Sequence, residues 1–65
     1  MKLMTLVNNY KWPIDSFDVY ENKTNNFLYS TDDAKNIGLD IWVKAFSVYN
    51  KTVMGDNITI LEIWV

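Results

Sequence analysis

The chain contains no cysteine, no histidine, no arginine and no glutamine, and it has only two glycines and one proline. Each absence closes a class of chemistry. Without cysteine there are no disulfides and no thiol nucleophile. Without histidine as well, the usual general base and nearly every zinc or iron site are gone. Arginine is the common bidentate reader of phosphates and guanine edges. All six basic residues are lysines, and they form no basic stripe, so nucleic acid is not an expected partner. Gly38 and Gly55 stand alone, so there is no glycine-rich loop to cradle a phosphate. No run approaches the ~20 apolar residues of a membrane span. Residues 1–10 carry one lysine and neither a long apolar run nor a small-residue cleavage site. The expectation is therefore a cytoplasmic protein with no membrane partner. The sequons NKT at 22, NKT at 50 and NIT at 57 are read as accidents of a chain with eight asparagines.

What is present is a mildly acidic chain of 65 residues, net charge −2, of which 15% are aromatic. That length makes residues 1–65 one domain near the lower limit for independent folding. Small domains without disulfides or metals rely on dense packing or on a second subunit, and both remedies are open here.

Local patterns divide the chain. KLMTLVNNY places Leu3, Leu6, Val7 and Tyr10 at the i, i+3, i+4, i+7 spacing of one helix face. Asn8 and Asn9 weaken that helix toward its end, and Pro13 stops any continuation past Trp12. SFDVYE alternates, with Phe17 and Val19 on one side and Asp18 and Tyr20 on the other. NKTNN is a polar turn, and FLYS returns. Pairing Val19 with Leu28 sets Tyr20 beside Phe27 and Asp18 beside Tyr29, with a hairpin loop at Asn22 to Asn25. STDDAKNIG reads as a short helical turn, capped by Ser30 or Thr31, with Asp32 and Asp33 at its N-terminus and Gly38 ending it.

The closing unit is a second hairpin of IWVKAFSVY and ITILEIWV, with Gly55-Asp56 as a turn signal. Matching like with like across the strands sets Lys44 opposite Glu62, Trp42 opposite Trp64, Phe46 opposite Ile60 and Val48 opposite Ile58. The reverse face then pairs Val43 with Ile63, Ala45 with Leu61 and Ser47 with Thr59. ILEIWV is expected to be a full strand with paired neighbours on both sides. The fold class that follows is α+β: a short N-terminal helix packed on a small antiparallel sheet of about four strands, built from two hairpins with a short helical turn between them.

One helix covers one face. The aliphatic face of Val43, Ala45, Leu61, Ile63 and Val65 is assigned to the helix. An interaction surface then remains, made of Trp42, Phe46, Ile60 and Trp64 around a Lys44–Glu62 pair. A patch of that kind is buried either by a second copy of the chain or by a partner protein. A homodimer is expected, from the small size and the leftover face together.

Catalytic equipment is thin. Asp15 with Asp18, and Asp32 with Asp33, are acid pairs of the sort that bind cations or share a proton. Asp32 and Asp33 are already explained by a helix N-terminus and Asp18 by an exposed strand position. Asp56-Asn57 is a turn pair, and Lys44 is a cross-strand ion-pair partner before it is a perturbed amine. No enzyme activity, cofactor or metal is expected.

The order of the pieces resembles a known group. A short helix KLMTLVNNY, a hairpin DVYENKTNNFLYS, an acidic turn TDDAKNIG and a closing hairpin ending ILEIWV look like the small accessory proteins of bacteriophages that infect low-GC Gram-positive bacteria. Among such proteins, the short Hachiman anti-defence inhibitors are similar in length and in lacking catalytic groups. The resemblance covers the whole layout and carries over no functional residue. It implies a phage-encoded, non-enzymatic interaction protein that inhibits or modulates a host protein, such as a defence protein, by stoichiometric binding. Two alternatives stand beside it. One is a protein that sequesters a nucleotide-like signal in an aromatic cleft at a dimer interface, with Tyr20, Phe27, Tyr29 and the tryptophans stacking on the base. The other is a virion-assembly or antitoxin-like partner.

Overall fold

The amphipathic opening forms helix α1 at Leu3–Asn9, with Leu3 and Leu6 buried. No side chain caps its N-terminus. The first amides are satisfied instead by a distant segment: Leu3 N–H donates to the Ile41 carbonyl and Met4 N–H to the Leu39 carbonyl, both at 2.9 Å. A further bridge joins Lys2 to Trp42. The computed structural model describes residues 1–11 and 13–65. Trp12, which the sequence places just before the helix-stopping Pro13, lies outside them.

Strands β1 (Ser16–Tyr20) and β2 (Phe27–Thr31) form the first hairpin. Its loop is the expected Asn22 to Asn25. Glu21 N–H donates to the Asn26 carbonyl at 2.9 Å, and Asn25 takes the left-handed conformation (φ 61°) that asparagine tolerates. Tyr20 stands opposite Phe27 as expected, but a bulge follows between Val19 and Tyr20. It leaves Leu28 out of the ladder, so Val19 faces Tyr29 and Asp18 faces Ser30, not Leu28 and Tyr29 as like-with-like pairing expects. The shift gives Asp18 a partner: Ser30 Oγ donates to its Oδ1 at 2.6 Å.

The acidic turn is a 3-10 helix at Ala34–Asn36. Asp33 itself is the cap, accepting from Lys35 N–H at 2.9 Å, while Thr31 Oγ1 braces the turn by accepting from Asn36 Nδ2.

Strands β3 (Ala45–Val53) and β4 (Asp56–Trp64) form the second hairpin, and its register departs from expectation by three residues. Ala45 faces Trp64, Phe46 faces Ile63, Ser47 faces Glu62, Val48 faces Leu61 and Tyr49 faces Ile60. The turn decides this. Val53 pairs directly with Asp56, leaving Met54 and Gly55 as a two-residue connection with positive φ at both positions, 49° and 84°. That is the turn whose twist matches antiparallel strands, and loop length sets hairpin register. Polar side chains then hold it, Thr52 donating to Asn57 Oδ1 and Thr59 to Asn50 Oδ1 across the ladder. An odd slip turns β3 over relative to β4, so Ala45 leaves the helix side and Phe46 joins it.

The four strands make one sheet in the order β2-β1-β4-β3, and the central pair β1/β4 is parallel. The sheet is mixed, which corrects the antiparallel expectation. With both hairpins antiparallel and their inner strands parallel, β2 and β3 run in the same direction. The chain must therefore travel back along the sheet between them, and residues 32–44 do so. Ala34 and Val43 from this return segment join Leu3, Leu6, Phe17, Val19, Leu61 and Ile63 in one buried cluster, with Val7, Ile37, Leu39, Ile41, Val48 and Val65 packed against it. The helix and the return segment thus roof the same face. Neither covers the other. Among the described residues, no helix is long and apolar enough to cross a membrane.

Candidate interaction surface

The unroofed face is built by the alternate residues of the same strands. Registers across the sheet place its side chains in three rows. Phe27, Tyr20, Trp64 and Ala45 form an aromatic row. Ser30, Asp18, Glu62 and Ser47 form an acidic row beside it. Ser16, Ile60 and Tyr49 form the third. Asp18 and Glu62 are direct neighbours on the parallel strands, about 4.8 Å apart along the sheet. No basic residue stands in these rows, and Lys51 is the nearest on this face, one step beyond Tyr49.

The rings are fixed in place. Tyr20 stacks on Trp64 with centroids 4.9 Å apart and planes 16° from parallel, and Phe27 meets Tyr20 edge-on at 5.6 Å. Trp64 Nε1 donates to Asn25 Oδ1 at 2.6 Å, so the first hairpin loop pins the indole. Tyr20 donates its hydroxyl to Glu62 Oε2 at 3.0 Å, which ties the aromatic row to the acidic one. That hydrogen bond is the main cause holding the Tyr20 hydroxyl above the ordinary tyrosine value, with desolvation and the charges of Glu62 and Asp18 adding to it. Tyr49 is raised too, first by desolvation and then by the same two carboxylates. Both tyrosines therefore register the negative potential of the acidic row.

Of the residues assigned to an interaction surface from the sequence, Ile60, Glu62 and Trp64 lie on this side of the sheet, but Ile60 is buried at 3% exposure and only Glu62 and Trp64 keep surface there. Phe46 does not: opposite Ile63, it sits on the helix side at 46% exposure. Trp42 precedes β3, bridged to Lys2 and 61% exposed, and does not face Trp64. Lys44 makes no pair with Glu62. Its backbone N–H donates to the Trp64 carbonyl at 2.8 Å, and Ser47 takes the place opposite Glu62. The odd slip of β3 turns Phe46 away from the rest, while Trp42 and Lys44 lie before the strand begins. Tyr29, grouped from the sequence with Tyr20 and Phe27, is opposite Val19 on the helix side.

Asp18, Tyr49 and Asn25 are surface residues that pattern-reading missed. Alternation in SFDVYE already set Asp18 and Tyr20 away from Phe17 and Val19. The missing signal was that β1 lies against β4.

Two concavities occur elsewhere. A polar one of about 450 Å³ is lined by Tyr10, Pro13, Asp15, Asn50, Asn57 and Thr59. Its Asp15 carboxylate is engaged by Thr59 N–H at 2.8 Å and its Asn50 Oδ1 by the Thr59 hydroxyl. An apolar one of about 260 Å³ lies between α1 and β3, against Met1, Leu6, Asn9, Tyr10 and Phe46. Among the described residues, no three carboxylates gather where they would hold a metal ion.

No protein-family description, no curated protein and no solved structure matches this chain.

Proposed function

We propose that this chain is a non-enzymatic interaction protein that binds a host protein stoichiometrically through the open face of its sheet, inhibiting or modulating it by occlusion in the host cytoplasm. One observation carries the reading: among the described residues this face is left without a roof, and its Tyr20, Trp64 and Phe27 rings are already held by stacking and hydrogen bonds. Aromatic side chains dominate binding hot spots, and rings held by stacking and hydrogen bonds lose little further freedom on association. The layout resemblance to phage accessory proteins supports a host protein, such as a defence protein, as the target.

The shape of the face separates this reading from small-molecule sequestration. Ligand pockets enclose most of a small ligand's surface, whereas an open sheet contacts one side of it. A second copy is the less favoured occupant. The dimer expectation rested on the small size of the chain together with Trp42, Lys44 and Phe46 sharing a face with Trp64, and the second of these supports is lost to the register. Two copies related by a two-fold axis would also bring one acidic row toward another.

Affinity capture from host lysate tests the proposal. One protein is expected in equimolar amount, lost with Phe27→Ala and Tyr49→Ala, and kept with Trp42→Ala, which removes a more exposed ring off the face. Capture indifferent to Phe27 and Tyr49 would overturn it.

A further inference from the structure

The open face has a charge pattern as well as an apolar one, and the pattern selects the occupant. Asp18 and Glu62 sit side by side in the middle of the sheet, flanked on one edge by stacked Tyr20 and Trp64 and on the other by Tyr49 and Ile60. Like charges at neighbouring positions of a sheet repel. Here no basic side chain in the three rows offsets them. The chain's one ion pair among the described residues, Lys2–Asp40 at 3.7 Å, is elsewhere. Among the described residues each carboxylate takes one hydroxyl donor, Asp18 from Ser30 and Glu62 from Tyr20, out of the several a carboxylate can accept. A positive group placed over this row would meet two carboxylates and the faces or edges of several rings at once.

We infer that the segment of the partner that docks on this face carries an arginine, its guanidinium seated over Asp18 and Glu62 and stacked against the Tyr20–Trp64 platform. This rests on the binding role proposed above for the same face. Three features of the site favour guanidinium over ammonium. A planar cation stacks on aromatic faces, its fork of donors matches carboxylate oxygens, and it sheds water more readily than the compact lysine head. The acidic row is also flanked by rings on both sides, which suits an extended strand or loop laying one side chain across it. A second copy of this chain is a poor source of that group, because the chain has no arginine.

The test uses blocked hexa-arginine, hexa-lysine and hexa-serine peptides as probes, titrated into the full chain at fixed ionic strength and followed by backbone amide NMR. Hexa-arginine is expected to bind more tightly than hexa-lysine, with shifts centred on Asp18, Tyr20, Glu62 and Trp64, and hexa-serine is expected not to bind. Asp18→Asn combined with Glu62→Gln keeps both hydrogen-bond acceptors and is expected to weaken hexa-arginine binding by about tenfold or more. Asp32→Asn combined with Asp40→Asn changes net charge equally at sites off the face and is expected to leave binding within about twofold. Equal weakening by the two double variants, shifts centred elsewhere, no preference for arginine, or no binding would each overturn the inference. So would a doubling of solution mass that buries the same amides, since the occupant would then be the chain itself. Should the first double variant not fold, Asp18→Lys supplies the same decision, since a cation beside Glu62 neutralises the row and is expected to abolish hexa-arginine binding. Failure here is distinct from failure of the broader proposal. If Phe27→Ala and Tyr49→Ala abolish capture of a host protein while Asp18→Asn with Glu62→Gln leaves it intact, the face binds but does not select a cation.

Discussion

The two faces of this sheet are made from the same strands, residue by alternate residue, and they have been put to different uses. Beneath the roof, Phe17, Val19, Leu61 and Ile63 are buried against Leu3, Leu6, Ala34 and Val43. On the open side, Tyr20, Trp64, Phe27 and Tyr49 keep part of their surface in water, around two carboxylates. The buried cluster under the roof is aliphatic apart from Phe17 and is held by water exclusion, which is non-directional. The open face is held by directed contacts, namely stacking and three hydroxyl or indole hydrogen bonds, one of which clamps the Trp64 indole to the first hairpin loop. A period of two lets one short chain keep its buried cluster and its ring-and-carboxylate rows on separate sets of residues.

Substitutions should therefore split by face. The largest effect is expected from Leu61→Ala, which removes a fully buried side chain from the roofed cluster. A loss of about 2–5 kcal/mol is expected, against roughly 3–10 kcal/mol for a domain of this length, so urea denaturation should show a mostly or marginally folded protein at best. A loss like that of an exposed residue would break the contrast. Next comes Gly55→Ala, at φ 84° in the turn that sets the β3/β4 register. A cost of about 1–2 kcal/mol is expected, again by urea titration. If the turn can shift without cost, the register that puts Ser47 and not Lys44 opposite Glu62 is not held by the turn.

Smaller effects should come from the open face, and one has the opposite sign. Asp18→Asn keeps the acceptor for Ser30 and removes one of two adjacent like charges, so it is expected to raise the urea midpoint by about 0.2–1 kcal/mol of stability. An increase in stability paired with weaker binding would mark the acidic row as kept for recognition at the expense of the fold. The smallest effect is a pH dependence. Tyr20 and Tyr49 ionise above the ordinary value of 10.0 in the folded chain. The protonated form is thus favoured by folding, so the contribution is complete below about pH 10 and is lost as pH rises through the folded-state values. Alkaline unfolding followed at the tyrosinate absorbance should lose its highest-pH portion in Tyr20→Phe. An unchanged profile would mean that the hydroxyl does not feel Glu62.

Much of the architecture was legible before folding. The Leu3/Leu6/Val7 stripe, the Asn22 to Asn25 loop, the acidic turn and the central place of ILEIWV all rest on local patterns, and all appear. The misreadings share a cause. Pairing like with like across β3 and β4 weighed side-chain matches worth tenths of a kcal/mol each and did not test which turn Met54-Gly55 would close. The β2 bulge at Leu28 was invisible for the same reason, since alternation continues on either side of an extra residue. Three of the six residues assigned to the interaction surface stayed on the same side of the sheet because they lie within one strand, where alternation alone sorts them, though Ile60 is buried there and only Glu62 and Trp64 keep surface. The three that left it precede β3 or lie in it, where register decides.

The sequence by itself determined which side chains of each strand travel together: Phe17 with Val19, Asp18 with Tyr20, Leu61 with Ile63, Glu62 with Trp64. That follows from backbone geometry, because successive residues of a strand point to opposite sides whatever the strand packs against. Tertiary structure alone decided which of these pairs became neighbours. Residues 32–44 carry the chain back under the helix side, and that return makes β1 and β4 parallel and adjacent, bringing Asp18 beside Glu62 and Tyr20 onto Trp64. No local pattern encodes that adjacency. It is set by which crossing buries Leu3, Leu6, Ala34 and Val43 over the sheet, a requirement that only the whole chain can meet.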